Sequence, residues 1–168
     1  QHRLSEFDDY RRTADDRILL FRHADNAARF RMSAERLMMA PFPTEQFTRA
    51  VEELVRRNAR FVPPSGQGSF YVRPVQNAIE AKLGLGPCSQ FWVIMYGSPV
   101  GEYFAKKDGG EPPKGVRLRV LEQGRVAPGG TGSAKSMSNY AGGIAIAATW
   151  RARGYDDVLY LDARHLEY

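Results

Sequence analysis

APGGTGSAKSMSNY, residues 127–140, is the most informative segment of the sequence. Its glycines and other small residues surround one lysine, Lys135, and leave room beside it for a bulky ligand. A helix is predicted to follow from about Ser138 to Arg153, with Gly154 at its C′ position. This arrangement fits a solvated surface turn, a phosphate-binding loop or a lysine that forms a Schiff base.

The phosphate-binding interpretation depends on the pattern GxxxxGK[ST], which Gly129 to Ser136 nearly matches. Val158–Asp162 could supply the acidic strand that accompanies such a loop. However, Ala134 replaces the glycine that lets the backbone wrap around the phosphates. Residues 124–128 are also too polar for the buried strand that normally precedes the loop, so this interpretation stays an alternative.

The Schiff-base interpretation depends on the neutral surroundings of Lys135. A lysine amine must lose its proton to act as a nucleophile, which burial or a neighbouring charge can promote. Ala134, Met137 and Tyr140 are uncharged, and the Tyr140 hydroxyl could donate a hydrogen bond to a cofactor. The residues alone do not decide between this interpretation and the other two.

Hydrophobic periodicity predicts helices and strands on both sides of this segment. The predicted helices run from Asp25 to about Met39 and from Thr44 to about Phe61, and the predicted strands are Arg17–Phe21, Ser69–Arg73, Gln90–Tyr96, 116–120 and Val158–Leu161. The apolar helix faces are predicted to contain Phe30, Ala34, Leu37 and Met38 in the first helix, and Phe47, Val51, Leu54 and Val55 in the second. The nearly continuous apolar run of Gln90–Tyr96 predicts a largely buried strand, whereas the alternation in 116–120 predicts a half-exposed one.

The segment KKDGGEPPK, Lys106–Lys114, is rich in glycine, proline and charge and resembles a linker. We therefore predict a small N-terminal domain at residues 1–105, a linker at 106–114, and the start of a second domain at 115–168. The chain begins with Gln1 rather than methionine, and both ends look cut, so we expect a fragment of a longer protein.

Composition limits the class of protein. The 168 residues carry a net charge of +5, but the arginines are scattered, which favours solvated faces over a nucleic-acid surface. The single cysteine, Cys88, excludes an internal disulfide and a cysteine-based zinc cluster, and we expect no metal site. No apolar run is long enough to span a membrane.

Five separated segments resemble branched-chain amino-acid aminotransferases, which are pyridoxal-phosphate (PLP) enzymes of fold type IV. They occur in the order expected for that family. They are FRHADNAARF with RMSAERL (Phe21–Leu37), SFYVRP (Ser69–Pro74), SPVGEYF (Ser98–Phe104), the lysine segment of residues 127–140, and GYDDVLYLD (Gly154–Asp162). The resemblance implies an α+β fold with a small N-terminal α/β domain and a larger β-rich domain.

The resemblance also implies a role for each matching residue. Lys135 would form the Schiff base with PLP and later carry the proton. Arg29 would bind the cofactor phosphate, because a guanidinium fork suits phosphate oxygens. Tyr140 would hydrogen-bond the phenolic oxygen of PLP. Tyr71, Arg73 and Tyr103 would line the substrate pocket, with Arg73 facing the distal carboxylate of glutamate.

The implied activity is transfer of the amino group of leucine, isoleucine or valine to 2-oxoglutarate. D-amino-acid aminotransferases, R-selective amine transaminases and aminodeoxychorismate lyase share the lysine and the cofactor, so they remain alternatives, as does a non-catalytic fragment that binds a partner half. A homodimer is implied for the intact protein. Nucleic-acid and membrane partners are not expected, and the expected location is the cytoplasm, or an organellar matrix in a eukaryote.

This sequence departs from the family pattern near its ends. An FEG-containing segment of the family, which contributes to the substrate pocket, has no match in Leu4–Tyr10. The family's glutamate for the pyridine nitrogen is expected just after Tyr168, together with later loops that complete the phosphate cup. The active site is therefore expected to be incomplete within these residues.

Overall fold

A computed structural model describes residues 10–12, 17–101 and 115–167, with side chains described from residue 17 onward. The chain divides into two compact units, residues 1–102 and 103–168. The predicted linker at Lys106–Lys114 lies outside the described residues, so the proposed domain boundaries remain predictions. Among the described residues, no helix combines the length and apolarity needed to cross a bilayer.

The first unit combines two helices with two pairs of antiparallel strands. β1 pairs with β2, and β3 pairs with β4 along the whole length of both strands, from Ser69 opposite Val100 to Ala78 opposite Phe91. The elements are β1 (Tyr10–Arg12), β2 (Ile18–Leu20), α1 (His23–Arg36), α2 (Thr44–Arg57), a 3₁₀ turn (Ala59–Phe61), β3 (Ser69–Ala78) and β4 (Phe91–Val100).

The core of this unit forms where the apolar face of α2 meets β3. Phe47, Val51 and Val55 recur at helical spacing and are buried, as the sequence predicts. Phe70 and Val72 alternate along β3 and contribute the facing side chains. Leu54 packs at the margin of this cluster. The apolar pattern therefore correctly predicts the face of α2 that is buried.

The first helix ends earlier than predicted. α1 begins at His23 and ends at Arg36, and Met38 follows with a positive φ of 55° and a side chain that is 67% exposed. The prediction that Met38 belongs to the apolar face was therefore wrong. Asp25 lies in the first turn, where it accepts a hydrogen bond from Arg22 Nε at 2.6 Å, instead of capping the helix.

The second long strand is only half-buried. Along β4 the side chains alternate, and Trp92, Ile94 and Tyr96 are 61%, 45% and 50% exposed. The prediction of a largely buried strand was wrong. The apolar residues of β4 lie on both faces of the strand, but only one face packs against the core. Tyr71 and Arg73 of β3 share the exposed face, opposite the buried Phe70 and Val72.

The second unit is a β-α-β arrangement that contains the lysine segment. β5 (Leu118–Gly124) and β6 (Asp157–Leu161) pair in parallel, and α3 (Ser138–Arg151) lies between them in the chain. The side chains of residues 116–120 are all exposed, Leu118 and Val120 by 41% and 44%, and Leu121 is the buried residue of β5. The prediction of an alternating, half-exposed strand was therefore wrong. Together the two units give an α+β fold.

α3 lies close to β6 at Gly143. A Cβ at Gly143 would lie 2.8 Å from the hydroxyl oxygen of Tyr160, which is closer than real Cβ contacts. The absence of a side chain at this position therefore lets α3 approach the strand. The helix starts at Ser138, as predicted, and ends at Arg151, with Gly154 at φ 85° in the turn that follows.

Candidate functional site

Successive turns, rather than one continuous wrap, form the glycine-rich segment before α3. The Gly130 amide donates to the Ala127 carbonyl at 3.0 Å, and the Ala134 amide donates to the Thr131 carbonyl at 2.9 Å. A Cβ at Gly132 would lie 2.6 Å from a methyl carbon of Val126. The small residues of this segment therefore permit a tight fold that ends at Lys135.

Lys135 and Tyr140, which the sequence proposes as partners, are brought together. The Lys135 Nζ donates a hydrogen bond to the Tyr140 hydroxyl at 2.9 Å. The same nitrogen lies 4.9 Å from the centre of the Tyr140 ring. Lys135 is half-buried and Tyr140 is 41% exposed, so both groups are accessible to a ligand.

Arg125 adds a second positive charge to this pair. Its guanidinium carbon lies 5.1 Å from the centre of the Tyr140 ring. Burial is the largest single influence on the phenol and raises its pKa, but the hydrogen bonds and charges of Lys135 and Arg125 together outweigh it. The pKa of Tyr140 is therefore lowered from its ordinary value of 10.0. The pair of cations favours an anionic oxygen at this position.

Asn139 anchors the loop to the helix and was not identified from the sequence. Its side chain is buried, with 6% exposed. The Asn139 Nδ2 donates to the carbonyls of Thr131 at 2.8 Å and Ala134 at 2.9 Å, and its Oδ1 accepts from the Thr131 hydroxyl at 2.8 Å. Spacing along the chain does not signal such contacts, because they depend on how the loop folds.

Arg29 lies in the first unit, on α1. It is half-buried, and its Nη2 donates to the Asn26 Oδ1 at 2.7 Å, one turn earlier in the helix. The neighbouring Ala27 and Ser33 are buried, which fixes the orientation of this helix against the core. The Arg29 guanidinium is thus held at a defined place on α1.

Tyr71 and Arg73 form a second pair of predicted site residues. Arg73 Nη2 donates to the Tyr71 hydroxyl at 3.3 Å, and the guanidinium carbon lies 5.3 Å from the centre of the tyrosine ring. Both extend from the exposed face of β3, where Tyr96 is the cross-strand partner of Arg73. Tyr103, the third predicted substrate residue, lies outside the described residues.

The predicted residues therefore form two local pairs, Lys135 with Tyr140 and Tyr71 with Arg73. Each pair lies within one of the two units, and Arg29 lies on α1 of the first unit. Within the described ranges, no three His, Cys, Asp or Glu side chains are grouped so that they could hold a metal ion.

Asp162, which the phosphate-loop alternative requires as a metal-binding acid, has a different role. Its carboxylate accepts hydrogen bonds from the backbone amides of Arg164, His165 and Glu167 at 2.8–2.9 Å. These bonds close the turn that follows β6. They lower the pKa of the Asp162 carboxyl to about 2, against an ordinary value of 3.8. The carboxylate is engaged in holding the backbone.

The Asp162 turn predicts a specific acid dependence of stability. Because the folded-state pKa lies below the unfolded value, the contribution is complete above about pH 4 and is lost as the pH falls towards about 2. Asp162→Asn should therefore be less stable than the parent at pH 6, and the difference should shrink at pH 2.5. Urea unfolding at both pH values measures this. A difference that is the same at both would contradict the role.

Comparison with known proteins places the chain in one family. The sequence profile described as "Amino-transferase class IV" matches residues 11–166. The branched-chain-amino-acid aminotransferase 3, chloroplastic, of Arabidopsis thaliana is 47% identical over 95% of this chain and 38% of the relative. The mitochondrial branched-chain amino acid aminotransferase 1 of Humulus lupulus is 41% identical over 94% of this chain and 39% of the relative.

A relative from Mycolicibacterium smegmatis, a branched-chain-amino-acid aminotransferase, is 39% identical over 94% of this chain and 42% of its own length. The chain thus spans about two fifths of the length of these curated relatives. Among solved structures, a T.th. branched-chain amino acid aminotransferase with pyridoxamine 5'-phosphate superimposes with a TM-score of 0.70. It is 31% identical, over 90% of this chain and 47% of that chain.

These matches decide against a phosphate-binding loop of the nucleotide-binding type, since they extend along nearly the whole chain and include the lysine segment. They agree with the fold, in which Lys135 precedes α3 in the connection between the parallel strands β5 and β6. The chain belongs to the class IV aminotransferase family.

Proposed function

We propose that the full-length protein is a PLP-dependent transaminase that moves the amino group of leucine, isoleucine or valine to 2-oxoglutarate. The observation that carries this proposal is the 2.9 Å contact between the Lys135 amine and the Tyr140 hydroxyl, within a chain of this family. The names of relatives that are 39–47% identical support the choice of substrates.

The residues around Lys135 fit pyridoxal phosphate. An accessible primary amine suits the carbonyl carbon of PLP, and the Tyr140 hydroxyl between two cations suits the phenolic oxygen of its ring. Residues 129–134 carry only small side chains, and a Cβ added at Gly129 would meet open space. When bound, PLP supplies an electron sink that stabilises negative charge at the substrate α-carbon.

Lys135 would have two tasks at one atom. Its Nζ would hold PLP at the carbonyl carbon, with the carbonyl oxygen leaving as water, and would be a free amine again once the substrate amino group has taken its place. The released amine would then take the proton from the substrate α-carbon and return it to the adjacent cofactor carbon. The Tyr140 hydroxyl would keep the amine in place during this exchange, because the two groups are already within hydrogen-bond distance.

Arg29 would bind the phosphate of PLP. A guanidinium can donate two parallel hydrogen bonds to phosphate oxygens, which a single ammonium cannot do. Its half-buried position on α1 limits the rotamers that it can adopt. Arg29 would thus fix the cofactor at the end remote from Lys135.

Tyr71, Arg73 and Tyr103 would form the substrate pocket. Tyr71 and Arg73 present an aromatic ring and a guanidinium side by side on the exposed face of β3. The ring suits an aliphatic side chain, and the guanidinium suits the distal carboxylate of 2-oxoglutarate. One pocket would thereby accept both partners of the reaction in turn.

Purified full-length protein with bound PLP provides the direct test. We expect glutamate to form from leucine and 2-oxoglutarate with ping-pong kinetics, because the two substrates use the same site in turn. A preference for D-alanine over leucine would move the protein to the D-amino-acid aminotransferases, another fold type IV group. Absence of PLP from the purified protein, together with no binding of added PLP, would contradict the proposal.

Arg73→Ala should affect the two substrates differently. Loss of one charge-assisted hydrogen bond costs about 1.5–3 kcal/mol, so the KM for 2-oxoglutarate should rise by about 10- to 150-fold. The KM for leucine should change much less, because leucine has no distal carboxylate. Steady-state kinetics with each substrate varied in turn measure both effects. Equal effects on both substrates would exclude this role.

The proposed organisation follows the same family. We propose a small N-terminal domain at residues 1–105, a linker at 106–114, and the start of the PLP-binding domain at 115–168. We also propose a homodimer, with amino acids and 2-oxo acids as the small-molecule partners. Either the cytoplasm or an organellar matrix is the proposed location, and the chloroplastic and mitochondrial relatives support the second.

A further inference from the structure

Asn139 is a buried polar residue whose amide nitrogen and amide oxygen both form hydrogen bonds. Both hydrogens of its Nδ2 have a carbonyl acceptor, from Thr131 and Ala134, and its Oδ1 has a hydroxyl donor. Exchanging the amide oxygen and nitrogen would place an oxygen against two carbonyl oxygens. Only one orientation of the side chain is therefore stable, and it fixes the loop relative to α3.

The three hydrogen bonds of Asn139 act on both sides of the contact between Lys135 and Tyr140. Ala134, whose carbonyl accepts one of them, immediately precedes Lys135 and is only 2% exposed. Tyr140 immediately follows Asn139 in the first turn of α3. One side chain thus fixes the backbone that carries the amine and the backbone that carries the hydroxyl.

The contact itself lies nearer the surface than the hydrogen bonds of Asn139. Tyr140 is 41% exposed and Lys135 is half-buried. Ordering a flexible lysine and the loop that carries it costs conformational entropy. The buried hydrogen bonds of Asn139 help to offset this cost, because they hold the loop carbonyls of Thr131 and Ala134.

We propose that Asn139 is a positioning residue that holds the Lys135 amine against the Tyr140 hydroxyl. Asn139 is too deeply buried to touch a ligand, so it acts through the backbone of residues 131–135 and not through direct contact. The effect of Asn139 on catalysis depends on the proposed role of Lys135 as the residue that binds PLP. The geometric coupling between Asn139 and the pair exists without any cofactor.

The experiment compares Asn139→Ala with Thr131→Val in the full-length protein freed of cofactor. Asn139→Ala removes all three hydrogen bonds, whereas Thr131→Val removes only the hydroxyl donated to Oδ1 and keeps both bonds to the carbonyls. Tyrosine labelled with ¹³C at Cζ reports the ionisation of each phenol by nuclear magnetic resonance. The Tyr140 signal is identified by its loss in Tyr140→Phe.

We expect the midpoint of the Tyr140 titration to shift upwards in Asn139→Ala, because the Lys135 amine no longer stays beside the phenol. It should change little in Thr131→Val. On addition of PLP, the attachment trapped by borohydride on Lys135 should form more slowly in Asn139→Ala, by up to about 100-fold for a displacement of about 1 Å. Thr131→Val should again stay close to the parent.

An unchanged Tyr140 midpoint in folded Asn139→Ala would overturn the proposal, since a residue that serves stability alone would leave this titration where it was. If Asn139→Ala does not fold, Asn139→Leu, which fills nearly the same space without polar atoms, is titrated instead. Failure of both variants to fold would assign Asn139 to stability and also overturn the proposal. Attachment of PLP to another lysine would refute the proposed function, yet the titration would still decide the role of Asn139.

Discussion

Lys135→Ala is expected to abolish both turnover and the borohydride-stable attachment of PLP to the full-length protein. No other group of the described lysine loop offers a primary amine next to Tyr140, so the alanine variant lacks the atom that binds the cofactor covalently and carries the proton. Mass spectrometry of the reduced protein locates the adduct. Absorbance in the near-visible range follows its loss.

Lys135→Arg distinguishes loss of the covalent link from loss of the positive charge, and Lys82→Ala serves as a control. Lys135→Arg keeps a cation beside Tyr140, but a guanidinium stays protonated and cannot form the covalent link, so this variant should also be inactive. Lys82→Ala is the control, because Lys82 is an exposed lysine of the first unit, where it donates to the Pro87 carbonyl. It should retain full activity and the adduct. An adduct on any other lysine in the parent protein would refute the assignment.

Phe47→Ala is expected to lower the free energy of unfolding by about 3–5 kcal/mol, as is typical when a buried aromatic ring is truncated in a packed core. Phe47 is 0% exposed, and its ring centre lies 5.2 Å from that of Phe30. The change leaves a cavity between α1, α2 and β3 that these backbones can only partly close. Urea unfolding monitored by circular dichroism measures the loss.

Leu83→Ala is the matched control for Phe47→Ala. Leu83 is fully exposed, with a relative exposure of 101%, so removing its side chain should change the free energy of unfolding by less than about 0.5 kcal/mol. A loss below about 1 kcal/mol for Phe47→Ala would mean that this ring is not at the centre of the core.

The amphipathic pattern of α2 correctly predicts its buried face. When a helix packs on a sheet through one face, the spacing of its apolar residues is enough to identify that face. The ends and exposures of the other elements depend on tertiary context. Met38 continues the apolar pattern of α1, yet the chain turns with a positive φ at that residue. β4 has an almost unbroken apolar sequence, but within the part of the chain that the structure describes it pairs with β3 alone, and its side chains alternate between a half-buried and an exposed face.

The residues of the candidate site also divide into those that a motif predicts and those that depend on tertiary contacts. Lys135 and Tyr140 could be proposed from their motif, since the residue types carry the chemistry and their separation is short. Asn139 could not, because asparagine near a helix start is common and its three partners become visible only when the loop has folded. Asp162 is the opposite case, a residue whose type and position suggest a functional role that it does not have. An acid after an apolar strand looks like a ligand, although here it binds the backbone of its own turn.

The parallel pairing of β5 with β6 has a consequence for how this unit assembles. Parallel neighbours cannot be joined by a tight hairpin, so residues 125–156 must be gathered before the ladder can close. Residues 125–137, which contain Lys135, and α3 form that crossover. The entropy cost of closing it slows folding relative to a local hairpin. Opening of the β5–β6 ladder would free the two ends of this crossover. It would leave the contact between Lys135 and Tyr140 in place, because the hydrogen bonds of Asn139 hold that contact within the crossover.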